Sequence, residues 1–344
     1  MKKTQAAKFN KLRKGASVLL CVLIFALLLS FASDLLTPKR YDYGSCWGEF
    51  LAEPKNSVDV MFFGTSRVYC NVAPAAIYSE SGVKSYVLAG ASQTISITYH
   101  YIKEALKTQS PSTIFVEVSS LAYSKYEDYT KINIGYMPFG INKIQTILEC
   151  SENENKLGLF FPLSFYHSRW DKLCADDWKV AWSGYNVDML AGYTYIDEYY
   201  ATKDGIYWDY VPDASAFEEN LVYVQKIQEF CDEKGINCIF FIAPSHGLYQ
   251  QNYDEKIIAA VSQIGQLVDC REFMDEMGID KTVDYQGTIH LNIVGANKFS
   301  IYLANFIEKE GLAGPNKNPD ALWDGRVEYY NDLLEKPLKP RTFD

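Results

Sequence analysis

Histidine is scarce in this chain, four in 344 residues, so His100, His167, His246 and His290 are all it has for imidazole chemistry near neutral pH. The eight cysteines show no metal-ligand spacing, which excludes a zinc motif. No basic patch follows the first forty residues, and the net charge of −10 excludes a surface built for nucleic acid. Cys21 lies in an apolar run. The other seven, Cys46, Cys70, Cys150, Cys174, Cys231, Cys238 and Cys270, are an odd number and cannot all pair. They read mostly as small buried hydrophobes, with one or two bridges open.

Acid is missing from residues 1–14, which carry Lys2, Lys3, Lys8, Lys11, Arg13 and Lys14. Polar residues are nearly missing from Ala16 to Ala32, where only Ser17 and Ser30 interrupt, and Asp34 is the first charge after the run. The run approaches the roughly 20 residues that span a bilayer and has no polar face. We read 1–15 as a cytoplasmic arm and 16–36 as a retained single-pass anchor that places the body outside. Ser30-Phe31-Ala32 leaves cleavage open as the alternative. Residues 37–55 read as a juxtamembrane linker.

What is present is organised around Val58–Pro74, VDVMFFGTSRVYCNVAP. Its first half is a buried strand, and Gly64 permits a sharp turn. Ser66 thus follows a strand end, where open parallel sheets form their binding crevice. It is either a nucleophile or the turn serine or N-cap ahead of a helix at 75–81. Strands are expected at 84–88, 113–118, 237–242 and 266–268, with helices at 93–108, 217–234, 253–264 and 292–308. This alternation implies an α/β fold with a doubly wound parallel sheet.

The pattern lapses over 122–215, crowded with Tyr, Trp and Asp, which reads as an irregular insertion or lid. Its rings either stack on sugars or fill an irregular core. A tail from Pro315 is expected to lie over the surface or trail from it. His100 falls in a helix and His167 in the insertion, both structural positions. His246 follows a strand end and can line the crevice. His290, in a loop before the last helix, is the best-placed base for Ser66.

In order and spacing, FFGTSRVY, AGASQ and HLNIVGANKF together resemble the SGNH (GDSL-like) hydrolase superfamily. More narrowly they resemble its membrane-anchored cell-surface branch, which includes the D-alanyl transfer protein of lipoteichoic acid modification and relatives that work with membrane-bound O-acyltransferases. The likeness covers most of residues 56–310. It implies a flavodoxin-like sheet over 56–312, with 313–344 as tail. It makes Ser66 the nucleophile, His290 the base, and the Gly90 and Ser66 N–H groups oxyanion donors, with Arg67, Gln93 and His246 lining the site. The superfamily often has an Asn after the third strand. Here that place reads EVSSLA, so Ser119 or Ser120 is only a loose substitute.

The triad acid usually stands three residues before the His, where this chain has Gly287. Asp284 is the nearest carboxylate if the QGTI loop folds back. Otherwise a Ser-His dyad results. The expected activity is transfer or removal of an acetyl or D-alanyl ester on a cell-envelope polymer, teichoic acid or polysaccharide, with no metal or organic cofactor required. The membrane and a membrane-bound O-acyltransferase are the expected partners. The alternatives are a free-standing esterase and a non-catalytic binding or assembly subunit of the same fold.

Overall fold

Five short strands with mostly apolar side chains run parallel in one sheet: β1 (Val60–Gly64), β2 (Ser85–Ala89), β3 (Thr113–Glu117), β4 (Asn237–Ile242) and β5 (Gln266–Asp269). Every residue of β1, β2 and β3 is buried, as expected of strands covered on both faces. They lie in the order β2-β1-β3-β4-β5, with Val60 opposite both Ser85 and Thr113. The chain therefore reverses direction across the sheet between β1 and β3. That switch point opens a crevice at the carboxyl ends of these two strands.

This computed structural model describes residues 2–39, 46–124, 127–200, 214–246, 253–314 and 320–341. Parts of four expected segments lie outside them: Met1 of the arm, 40–45 of the linker, 125–126 and 201–213 of the insertion, and 315–319 and 342–344 of the tail. The described chain forms two compact units, Met1–Lys39 with Leu157–Gly184, and Arg40–Lys156 with Tyr185–Asp344. The first unit contains helix α1 (Lys2–Leu36), whose stretch Lys11–Leu36 is long and apolar enough to cross a membrane. The sheet and the candidate site belong to the second.

Successive side chains on a strand face opposite ways. Phe62, Phe115 and Phe241 line one face in ring contact, 4.9 and 6.1 Å between neighbouring centroids. Helices α3 (Pro74–Ser81) and α6 (Ile293–Lys309) cover it. Met61 and Phe63 point the other way, and on that side α4 (Ile95–Ala105) packs on β1 and on α5 (Ala214–Lys234). Each fully buried Phe contributes about 2–3 kcal/mol of transfer free energy.

Two expectations are corrected. The 122–215 segment is largely helical where described, with helices at Glu127–Gly135, Ile141–Cys150, Asn153–Phe160, Leu163–Tyr166 and Ala175–Ser183. Likewise the tail does not trail. Asp320 caps helix α7 (Ala321–Leu334), accepting from the N–H groups of Leu322 and Trp323, and α7 buries Trp323, Arg326, Tyr330 and Leu333. No disulfide forms: all eight cysteines are free thiols, with Cys46, Cys70, Cys150, Cys231, Cys238 and Cys270 buried.

The guanidinium of Arg326 is fully buried. It pairs with Glu53, stacks on Trp323 at 4.6 Å and donates to the Asp188 carbonyl at 3.0 Å. Burial raises the Glu53 pKa, Arg326 opposing it. Arg326→Ala leaves that carboxylate buried without its counter-charge, so a loss of about 3–5 kcal/mol is expected in urea unfolding. A midpoint unchanged from wild type contradicts this account.

Candidate functional site

The site begins where β1 ends. Gly64 has φ +149°, and a Cβ there would meet Glu117 Cβ and Val68 Cγ2, each at 2.8 Å. Only glycine lets the chain turn this close to β3. Thr65 then caps the one-turn helix α2 (Ser66–Tyr69), its Oγ1 accepting from the Arg67 N–H at 3.2 Å. Ser66 opens that helix at the crevice.

His290 reaches it from 224 residues away, with Nε2 2.8 Å from Ser66 Oγ. It sits on a short antiparallel hairpin pairing Gln286 with His290. Asn71, just past α2, fixes that hairpin. Its Nδ2 donates to the Ile289 carbonyl at 3.0 Å and its Oδ1 accepts from the Leu291 N–H at 2.8 Å. One amide thus grips the backbone on both sides of His290. Asn292 accepts from the N–H groups of Val294 and Gly295 to start α6, and its Nδ2 donates to the Val283 carbonyl.

The imidazole is held neutral. Burial first, and the Arg67 cation second, push the His290 pKa down to about 4. Neutral imidazole with its proton on Nδ1 leaves Nε2 free to accept from the Ser66 hydroxyl. Among the described residues nothing accepts from Nδ1. Arg67 is itself buried, its Nη1 donating to Ser119 Oγ at 3.3 Å. Below lies Glu117, fully buried, accepting from the Ser119 N–H at 3.0 Å and from Thr65 Oγ1 at 3.5 Å. Burial raises its pKa, while Arg67 works the other way.

The remaining sequence candidates lie elsewhere. Asp284 does not reach His290. Its carboxylate accepts from the Asp280 N–H and from Lys298 Nζ, each at 2.7 Å, because the loop turns it toward the start of α6. The Gly90 N–H is given to the Gly64 carbonyl at 3.1 Å, an extension of the β1–β2 pairing, and so is not free for an oxyanion. Gln93 donates to Thr98 Oγ1 at 2.9 Å. Ser120 turns its hydroxyl into the interior, where it finds no partner among the described residues. His246 Nε2 is 3.1 Å from the Gly287 carbonyl, and its backbone N–H donates to Thr288. It holds the turn that leads to His290.

Gly287 has φ +88°, and a Cβ there would strike Tyr200 Oη at 2.5 Å. An aspartate cannot occupy this position without displacing the tyrosine. Two residues escaped the sequence reading, Asn71 and Asn133. Asn133, from the helix Glu127–Gly135, donates to the Ala91 carbonyl at 3.0 Å and crowds Gly90. The loops these asparagines bind are remote in sequence, and no local pattern marks them. No protein-family model and no curated protein matches the chain.

Two substitutions test this geometry. Asn71→Ala removes both bonds around His290 and is expected to cost about 1–3 kcal/mol. It should also free the His290 ring, seen as sharpened, shifted imidazole NMR signals. Gly287→Asp is expected to cost about 1–3 kcal/mol through strain at positive φ. Unchanged unfolding midpoints contradict either assignment.

Proposed function

We propose that this chain is a membrane-tethered serine acyl-esterase or O-acyltransferase of SGNH type. Its substrate is an acetyl or D-alanyl ester on a cell-envelope polymer, teichoic acid or polysaccharide, outside the membrane. The reading is carried by one observation, the 2.8 Å approach of His290 Nε2 to Ser66 Oγ at the carboxyl edge of a parallel sheet. The strand order 2-1-3-4-5 within that sheet supports it as the flavodoxin-like arrangement the resemblance implies.

In this mechanism Ser66 Oγ attacks the ester carbonyl as its proton passes to His290 Nε2. Among the described residues the Ser66 N–H has no acceptor and faces the developing oxyanion. Asn133 brings an amide to the AGAS loop, which the superfamily approaches from the end of the third strand. Collapse of the tetrahedral intermediate expels the alcohol with the proton from His290 and leaves an acyl-serine. A polymer hydroxyl or water then attacks, completing transfer or hydrolysis.

One observation favours the alternative, a binding or assembly subunit of a membrane-bound O-acyltransferase. Burial is the larger cause that disfavours imidazolium at His290, and the second is the Arg67 cation, where a triad has a carboxylate. Lowering the imidazole pKa from the ordinary 6.5 to about 4 adds about 3 kcal/mol to the formation of imidazolium. Slow turnover follows, in contrast to a full triad.

Intact-mass analysis of the full chain in membranes after fluorophosphonate exposure decides between the two. The enzyme reading expects one adduct, absent from Ser66→Ala and slowed about 10²–10⁴-fold in His290→Ala. No adduct on the wild type transfers the case to the binding subunit. The pH profile is a second check. The reactive form is neutral imidazole, so labelling should stay level as pH falls from 8 to about 5 and drop only through about 4. A midpoint near 6.5 refutes the assigned environment of His290.

A further inference from the structure

The unit formed by Met1–Lys39 and Leu157–Gly184 exposes aromatic side chains that its own packing does not require. Trp182 is 86% exposed, Trp170 71% and Trp178 53%, with Phe161 and Leu157 also exposed. Among the other described residues, the tryptophans Trp47 and Trp323 are buried.

The segment is fastened to the end of α1. Arg169 donates from Nη1 to the Leu36 carbonyl at 3.3 Å, which gives the last turn of α1 a partner. Its Nη2 grips both carboxylate oxygens of the buried Asp177 at 2.8 Å. Asp177 also accepts from the Cys174 N–H and so fixes the start of the helix Ala175–Ser183. Seen down that helix, Trp178 and Trp182 lie about 100° and 140° round from Asp177. They share a face turned away from the Arg169 link, and Trp170 directly follows the arginine.

The place of this link matters. From Ala16 to Leu36, α1 is about 31 Å long at 1.5 Å per residue, against about 30 Å for a bilayer's hydrocarbon core. With α1 spanning the membrane, Leu36 stands at the outer boundary of that core. Arg169 and the three tryptophans are tied to that level. Tryptophan favours this boundary, its ring in the apolar margin and its N–H toward the headgroups.

We propose that Leu157–Gly184 is an interfacial foot that rests in the outer headgroup layer of the bilayer crossed by α1, with Trp170, Trp178 and Trp182 at the polar–apolar boundary. The occupant of this aromatic surface is lipid, because the surface is continuous with the end of the spanning helix. The inference rests on reading α1 as a membrane anchor, and the test separates the two.

The full chain is reconstituted in phosphatidylcholine vesicles and its tryptophan emission followed with lipids brominated near the headgroup end or near the methyl end of the acyl chain. Quenching is expected, stronger from the shallow bromines. The combined Trp170→Phe, Trp178→Phe and Trp182→Phe variant should lose most of it with its melting temperature unchanged. A protein that survives an alkaline wash with the vesicles but shows no quenching, or the same quenching in the variant, retains its anchor and overturns the foot. The tryptophans then face water, sugar or a protein partner. Release by the wash removes the anchor reading itself, and the foot with it.

Discussion

Two hydrogen bonds from the Asn71 amide hold the backbone of His290 against the turn that carries Ser66. The contact between those side chains joins segments 224 residues apart, so local structure alone cannot maintain it. Closing so long a loop costs entropy, though cost grows only with the logarithm of length. The sheet meets most of it by bringing β1 and α6 into one core. The amide then removes the remaining freedom at the point where an ångström of drift separates a hydrogen bond from a gap. Gly64, Thr65 and Asn71 all lie within one short stretch, which makes the turn after β1 the frame for both halves of the site.

Electrostatics at the site are unlike those of an ordinary triad. The carboxylate nearest in sequence, Asp284, is bound to Lys298 and the Asp280 backbone. Gly287, three residues before His290, has a left-handed φ and lies against Tyr200. Among the described residues the titratable groups beside Ser119 are Arg67 and Glu117, both buried. Burial first and Arg67 second disfavour a positive charge on His290, so the imidazole is kept neutral and ready to accept a proton, but is a poor place to leave one.

The central sheet was legible because its strands are short apolar runs ended by turn residues, and Asn237–Ile242 was read to the residue. Ser66 and His290 were legible because a serine past a strand end and a histidine before the last helix have few other places to go. Most helices of 122–215 were hidden by a Tyr-, Trp- and Asp-rich composition, but Ile141, Ile144, Ile147 and Leu148 fall at helical spacing and could have revealed the helix Ile141–Cys150. Helix α7 was masked by the Pro- and Asn-rich stretch before it, although Asp320 is an ordinary N-cap signal. Asp284 shows the limit of counting along the chain, since six residues in sequence said nothing about which way the loop turns.

The pairing of Arg326 with Glu53 also orders events in time. A chain made from its N-terminus exposes Glu53 long before Arg326 exists, so the segment around Glu53 cannot close its core until the chain has been made as far as α7. The unit that holds the sheet therefore reaches its final packing only after α7 has been made. Until then the Glu53 carboxylate has no counter-charge and stays in water.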